Sequence, residues 1–336
     1  MMEEKNMVLQ IENLTVHYVL EDETVEAVNG INLNLERGKV LGLVGETGAG
    51  KTTTGLACMR LIPNPPGVIK SGRVLIDGND LMALPETKMN EVRGKEISMI
   101  FQDPMTSLNP AFTVGEQIAE SVQIHDHVSR EEAFRRAQEM LELVGIPAER
   151  AGEYPHQFSG GMRQRVVIAI ALTCNPKLLI ADEPTTALDV TIQAQVLDMM
   201  KQLIDQYQTS VIMITHDLGI VAEICDEVAV MYAGSIVERG TLEDIFNHTL
   251  HPYTEGLFNS LPNIKHRGED LKPIPGLMPD PTNLPQGCAF APRCAYAGED
   301  CLCARPPLRQ VSDTHFVACS AYGRKDFSIE RSKPHE

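Results

Sequence analysis

The sequence predicts an α/β fold with a parallel-sheet core and a β-rich entry, on three observations. Val40-Leu41-Gly42-Leu43-Val44, Leu178-Leu179-Ile180-Ala181 and Val211-Ile212-Met213-Ile214 are continuously apolar, as strands buried on both faces of a parallel sheet must be. Residues 8 to 44 begin instead with alternating runs, Val8-Leu9-Gln10-Ile11 and Ile31-Asn32-Leu33-Asn34-Leu35, which read as antiparallel strands with one wet face. Between the buried runs lies a helical stretch starting at Ser129, where Ala133, Phe134, Ala137, Met140, Leu141 and Val144 share a face.

Ser129 and Glu132 have capping-box spacing, and Gly145 with Pro147 ends that helix. After about residue 260 the composition shifts to Pro, Gly and Cys. Pro262, Pro273, Pro275, Pro279, Pro281 and Pro285 forbid long regular elements, so residues 261–336 are expected to be an appended module. There is no internal repeat, and 336 residues suffice for roughly two domains.

Composition excludes several classes. Hydrophobic residues make up 43% and charged residues 22%, ordinary for a globular chain and unlike a disordered one. A net charge of −17 repels phosphate backbones, so nucleic-acid binding is disfavoured. The longest apolar stretch, Val166 to Cys174, is about half of what a membrane-spanning helix needs. The opening Met-Met-Glu-Glu-Lys-Asn is polar and has no apolar segment after it, which predicts no secretory leader and a cytosolic setting with reduced thiols.

Gly45-Glu46-Thr47-Gly48-Ala49-Gly50-Lys51-Thr52 matches G-x-x-x-x-G-K-[ST] and follows the buried run at Val40 to Val44. Its glycines permit a loop whose N–H groups converge on a phosphate. Lys51 supplies charge to the β- and γ-oxygens, and Thr52 offers a hydroxyl to Mg²⁺. A second buried run ends in Asp182 and Glu183, where Asp182 is placed for the metal's water shell and Glu183 for orienting or deprotonating an attacking water. The third run ends in Thr215-His216-Asp217, which offers an imidazole to the γ-phosphate. Phe158-Ser159-Gly160-Gly161-Met162 opens an apolar helix and makes a second anion cradle. One chain with two half-sites predicts that two chains pair head to tail, each cradle closing over the other's nucleotide.

In this order the motifs resemble those of the ATP-binding-cassette (ABC) ATPases over about residues 8 to 260. The resemblance implies a RecA-like parallel-sheet core, an antiparallel β subdomain and an α-helical signature subdomain at about 105–165, all within 1–260. It implies ATP and Mg²⁺ as cofactors, with nucleotide held by Gly45, Glu46, Thr47, Gly48, Ala49, Gly50, Lys51, Thr52 and Thr53, and Tyr18 standing where an aromatic stacks on adenine. Gln102 matches the Q-loop glutamine, Glu183 the catalytic base and His216 the switch histidine. Mg²⁺ falls to Thr52, Gln102 and Asp182. Ser159, Gly160 and Gly161 match the signature and Ala187-Leu188-Asp189 the D-loop, so Ser159 to Gly161 and Asp189 would complete the partner's site. Repair ATPases of the family carry a long coiled coil and translation factors carry two cassettes per chain, and neither is present.

Gln102 to Pro110, His251-Pro252-Tyr253-Thr254, Ile274-Pro275-Gly276 and Gly287 to Cys294 further resemble the ATPase subunits of dipeptide and oligopeptide importers. That resemblance implies a translocating ATP hydrolase for peptides or a related solute such as a nickel chelate. It also implies a second ATPase chain, two permease subunits, an extracellular solute-binding protein, and a place on the inner face of the cell membrane.

Cys288, Cys294, Cys301 and Cys319 have spacing C-x5-C-x6-C-x17-C, with Cys303 as a fifth thiol. A cytosolic setting disfavours disulfides, and zinc usually wants closer Cys pairs. A [4Fe–4S] cluster takes four thiolates at irregular spacing and would supply folding energy to a tail with little core. The importer resemblance implies the same cluster, with zinc as the alternative and Cys303 as a possible substitute for Cys301.

Overall fold

The computed structural model describes residues 6–186, 188–260, 273–324 and 327–329. Two 13-residue strands open it, β1 (Met7–Val19) and β2 (Thr24–Glu36), with burial alternating along each as the period-two pattern requires. β3 (Val40–Val44) is buried at every residue and leads into α1 (Lys51–Cys58). β4 (Gly67–Ile76), β5 (Asn79–Asp80), α2 (Glu86–Val92) and β6 (Ile97–Ile100) follow. Then come four helices, α3 (Pro104–Ser107), α4 (Val114–Asp126), α5 (Arg130–Leu143) and α6 (Gly160–Leu172). β7 (Leu178–Asp182), α7 (Val190–Tyr207), β8 (Ser210–Thr215), α8 (Leu218–Ile224), β9 (Glu227–Tyr232) and β10 (Ser235–Thr241) alternate after them. α9 (Leu242–Asn247) and α10 (Pro252–Asn259) precede a tail holding α11 (Asp300–Cys303), β11 (Arg309–Gln310) and β12 (Phe316–Val317).

The chain packs as two compact units. One takes the residues up to 10, 34–40 and 74–214. Its sheet is parallel, with Ile97 opposite Leu178 and Leu178 opposite Ser210, and every residue of β6, β7 and β8 is buried, as continuous apolarity demands. Its helices include α5, which buries Ala133, Ala137, Met140 and Leu141 on the expected face. The capping box there is only half formed. Ser129 accepts from the Glu132 N–H at 3.2 Å, but the Glu132 carboxylate turns to Arg135 and Arg136, which hold its pKa down at about 2. A complete box sits instead at Thr113 and Glu116, opening α4.

The other unit takes 11–33, 41–73 and the residues from 215 on. Its strands β3 and β9 are parallel, β9 and β10 form an antiparallel hairpin, and β12 adds to β10 with Glu238 opposite Val317. β11 closes the edge against β12. The tail, expected to be an appended module, adds two short strands to this sheet. The join is buried: the Glu238 carboxylate, fully shielded from solvent, accepts from the Leu250 and His251 N–H groups at 2.7 and 3.0 Å and from His315 Nε2 at 2.8 Å. Buried charge persists where it is saturated in this way. The proline-rich composition has its expected effect, since β11 and β12 are two residues each and α11 four.

Candidate nucleotide site

The phosphate loop belongs to the second unit and is shaped by close backbone approaches. At Gly45 (φ 153°) a Cβ would lie 2.1 Å from the Met231 carbonyl oxygen, and at Gly50 (φ 102°) one would lie 2.3 Å from that of Ala27. Only glycine fits both positions. Gly50 caps α1, so Lys51, Thr52 and Thr53 form the helix's first turn, whose N–H groups point out of the helix towards an incoming anion. Lys51 is 7% exposed and folds back, its Nζ donating to the carbonyls of Gly45 at 2.7 Å and Glu46 at 3.0 Å. Thr52 is exposed and Ala49 buried.

Tyr18, on β1, is half-buried with its hydroxyl 3.3 Å from Thr53 Oγ1 in the first turn of α1. His216 is exposed just beyond β8, and the next residue, Asp217, caps α8 through a 2.7 Å bond from the Gly219 N–H.

The first unit carries Asp182 and Glu183. Asp182 ends β7 and is 2% exposed. Glu183 follows in the left-handed region (φ 47°), unusual for a residue with a side chain, while its N–H stays bonded to Ile214 O at 2.8 Å. The Glu183 carboxylate accepts from Gln102 Nε2 and from Thr186 Oγ1, both at 2.9 Å. Gln102 and Glu183, 81 residues apart in sequence, are thus hydrogen-bonded to each other.

In the same unit Ser159 caps α6, accepting from the Met162 N–H at 3.4 Å. Gly160 is exposed, with nothing within 4 Å of a Cβ built there, whereas a Cβ on Gly161 would sit 2.5 Å from Ile192 Cγ2 of α7. The first glycine keeps the cradle open and the second lets α7 approach. Asp189 caps α7, accepting from the Ile192 N–H at 3.0 Å, so the D-loop aspartate has a structural task beside any role in a partner's site. Ala187 lies outside the described residues.

Arg293 was missed in the sequence: its guanidinium binds the Glu46 carboxylate of the phosphate loop from 247 residues away. No local pattern could have signalled it. A cavity of about 780 Å³ lined by Leu84, Lys88, Lys95, His125 and Lys177 holds none of the expected site residues, and its lysines pair with Glu91, Asp126, Asp77 and Glu96.

The expectation of a [4Fe–4S] cluster, or of zinc, is not supported. Among the described residues no group of three or more His, Cys, Asp or Glu side chains is placed to hold a metal ion. Cys288, Cys294, Cys301 and Cys319 do lie within one another's electrostatic reach, and burial pushes the thiols of Cys288, Cys294 and Cys319 up, Cys294 to about 11. Cys303 stands apart, exposed, with its Sγ bonded to Glu299 O at 3.3 Å. Among the described residues no helix is long and apolar enough to cross a membrane.

Comparison with known proteins gives the site its context. The ABC transporter family profile matches residues 28–186, and the oligopeptide/dipeptide transporter C-terminal region matches 237–301. The oligopeptide transport ATP-binding protein OppD of Bacillus subtilis is 55% identical, covering 92% of this chain and 87% of that one. OppD of Haemophilus influenzae is 50% identical over 88% of this chain and 92% of its own length. Among solved structures, the ATP-binding cassette MJ0796 bound to ADP and phosphate superposes with a TM-score of 0.62 at 27% identity, covering 70% of this chain and 98% of that one. CbiO1 of Clostridium perfringens, part of an ABC transporter complex, gives 0.61 at 30% identity, covering 72% and 91%. The chain is an ABC ATPase, and it belongs to the family of oligopeptide-transport ATP-binding proteins.

Proposed function

We propose that this chain drives import of di- and oligopeptides by coupling ATP binding and hydrolysis to a membrane permease. The observation that carries the reading is the joining, in one chain, of an ABC transporter match over residues 28–186 to the C-terminal region of oligopeptide/dipeptide transporters over 237–301. Its partners are a second ATPase chain, identical or paralogous, two permease subunits and, indirectly, an extracellular solute-binding protein. It sits at the inner face of the cell membrane. Residues 1–260 are the motor and 261–336 its extension.

Mg²⁺ bound with ATP would take Thr52, Gln102 and Asp182, a hydroxyl, an amide and a carboxylate, the hard oxygen donors that this ion uses beside phosphates and water. It would neutralise charge on the phosphate oxygens. Glu183, oriented by Gln102, takes the proton of the attacking water. His216 contacts the γ-phosphate, and Tyr18 stacks on the base. Ser159, Gly160, Gly161 and Asp189 close over the nucleotide of the paired chain, and closure with reopening after hydrolysis moves the permease.

Uptake tests the proposal. In a strain lacking only this chain, a labelled tripeptide should accumulate when the wild type is restored and not when Glu183→Gln is, with unlabelled peptides competing according to length. Normal peptide uptake in the deletion strain, with loss of a different solute, would overturn the peptide assignment.

A further inference from the structure

The C-terminal tail reaches the phosphate loop directly. Residues 45–52 contain one carboxylate, Glu46, and Arg293 meets it fork to fork, Nη1 2.7 Å from Oε2 and Nη2 3.1 Å from Oε1. The arginine side chain is 5% exposed. Its Nε donates to Pro275 O at 2.9 Å and its Nη1 to the Tyr232 hydroxyl at 3.3 Å, so the guanidinium is held from the tail and from β9 together. Glu46 is engaged through its backbone as well. Its N–H donates to the Tyr253 hydroxyl at 2.8 Å, and its carbonyl accepts from Lys51 Nζ at 3.0 Å and the Ala49 N–H at 3.1 Å. Tyr232, Tyr253 and Phe290 brace this arrangement, with ring centroids 4.6 to 5.4 Å apart. At the loop's tip a Cβ on Gly48 would lie 2.9 Å from Met278 Cε, so a second tail residue touches the loop.

A loop that receives a polyphosphate is a poor place for a carboxylate, because like charges repel and each phosphate that binds raises the cost. A bidentate guanidinium removes that penalty and also fixes the peptide beside it. We infer that Arg293 is a positioning residue for nucleotide binding, cancelling the charge of Glu46 and pinning its peptide, so that the C-terminal tail sets the affinity of the phosphate loop. The inference rests on the reading that this loop binds MgATP.

The test is a double-mutant cycle on the full chain, with MgATP binding followed by calorimetry and turnover at saturating MgATP beside it. An uncompensated charge several ångströms from the phosphates at an effective dielectric of about 20 is worth a factor of roughly ten to a hundred. Arg293→Met should therefore weaken MgATP binding by roughly that factor while turnover at saturation changes by less than about threefold. Arg293→Lys should fall between. In a Glu46→Gln background the same Arg293→Met change should cost less than about threefold, because the charge to be cancelled is gone. Raising the salt should shrink the loss in the single variant.

Equal losses in both backgrounds would overturn the inference, as would no loss in either. Thermal melts identify a variant that fails to fold, and if Arg293→Met does so, Arg293→Lys and Arg293→Gln carry the same cycle. A wild-type chain that does not bind MgATP at all refutes the nucleotide reading itself, an outcome distinct from an intact wild type with insensitive variants.

Discussion

Replacing Glu183 by Gln separates chemistry from binding. The carboxylate accepts two hydrogen bonds on one oxygen, from Gln102 Nε2 and Thr186 Oγ1 at 2.9 Å each. Glutamine has the same shape, and its carbonyl oxygen can accept both, so the geometry persists while the base is lost. A positioned general base contributes about 10²- to 10⁴-fold. At about 1.4 kcal/mol per decade, the variant should lose roughly 3–5 kcal/mol of transition-state stabilisation. Phosphate release at saturating MgATP should fall by that factor while MgATP affinity stays within about threefold of wild type. Glu183→Gly is the control for fold. It relieves the left-handed backbone at φ 47°, which costs about 1 kcal/mol with a side chain present, so it should melt higher yet turn over no faster than the Gln variant. Turnover of Glu183→Gln within about tenfold of wild type would refute the assignment of the base.

Three further expectations follow from local geometry. Gly161→Ala places a methyl 2.5 Å from Ile192 Cγ2 and should cost about 1–3 kcal/mol in a thermal melt, whereas Gly160→Ala meets nothing within 4 Å and should melt like wild type. His251 is buried and held neutral by burial, its pKa pushed down to about 3, so the stability it supports is present above pH 6.5 and lost as the pH falls towards 3, because the unfolded chain takes up a proton that the fold refuses. His251→Asn keeps an acceptor for the Tyr253 N–H and should reduce proton uptake on unfolding at pH 4.5 by about one; an unchanged pH slope of the melting temperature would contradict this. Cys303 is exposed and should be alkylated by iodoacetamide before Cys288, Cys294 and Cys319, whose thiols burial makes less acidic; mass mapping of the first labelled site decides.

Much of the site was legible because its chemistry is written in short contiguous motifs. The buried strands at Val40 to Val44 and Leu178 to Asp182 announce themselves by continuous apolarity, and the candidate site residues follow at their ends. What the residue string does not carry is long-range. The bond between Gln102 and Glu183 depends on β6 and β7 lying side by side, and the left-handed turn at Glu183 has no local signal. Two glycines that read alike differ in what they face, one solvent and the other Ile192. The contacts of the tail are long-range in the same way. Its prolines do forbid long elements, but a two-residue strand is enough to join β10, and the Arg293–Glu46 pair spans 247 positions. The cysteine spacing suggested ligands, but among the described residues no group of three or more side chains is placed to hold a metal ion, and of the four thiols only Cys301 is buried. Thr113 and Glu116 form a complete capping box with Arg130 3.3 Å from the Glu116 carboxylate, whereas the Glu132 carboxylate is drawn to Arg135 and Arg136 within a turn.

The central claim is that the loop from Gly45 to Thr52 binds MgATP, and equilibrium binding to the purified full chain, wild type against Lys51→Ala, tests it most directly. The Lys51 ammonium lies against the loop carbonyls and is the loop's one side-chain cation. Wild type should bind MgATP saturably with one site per chain, and Lys51→Ala should weaken binding by about tenfold or more while keeping the wild-type circular dichroism spectrum. A wild type without saturable binding, or a folded Lys51→Ala that binds as tightly, would contradict the account.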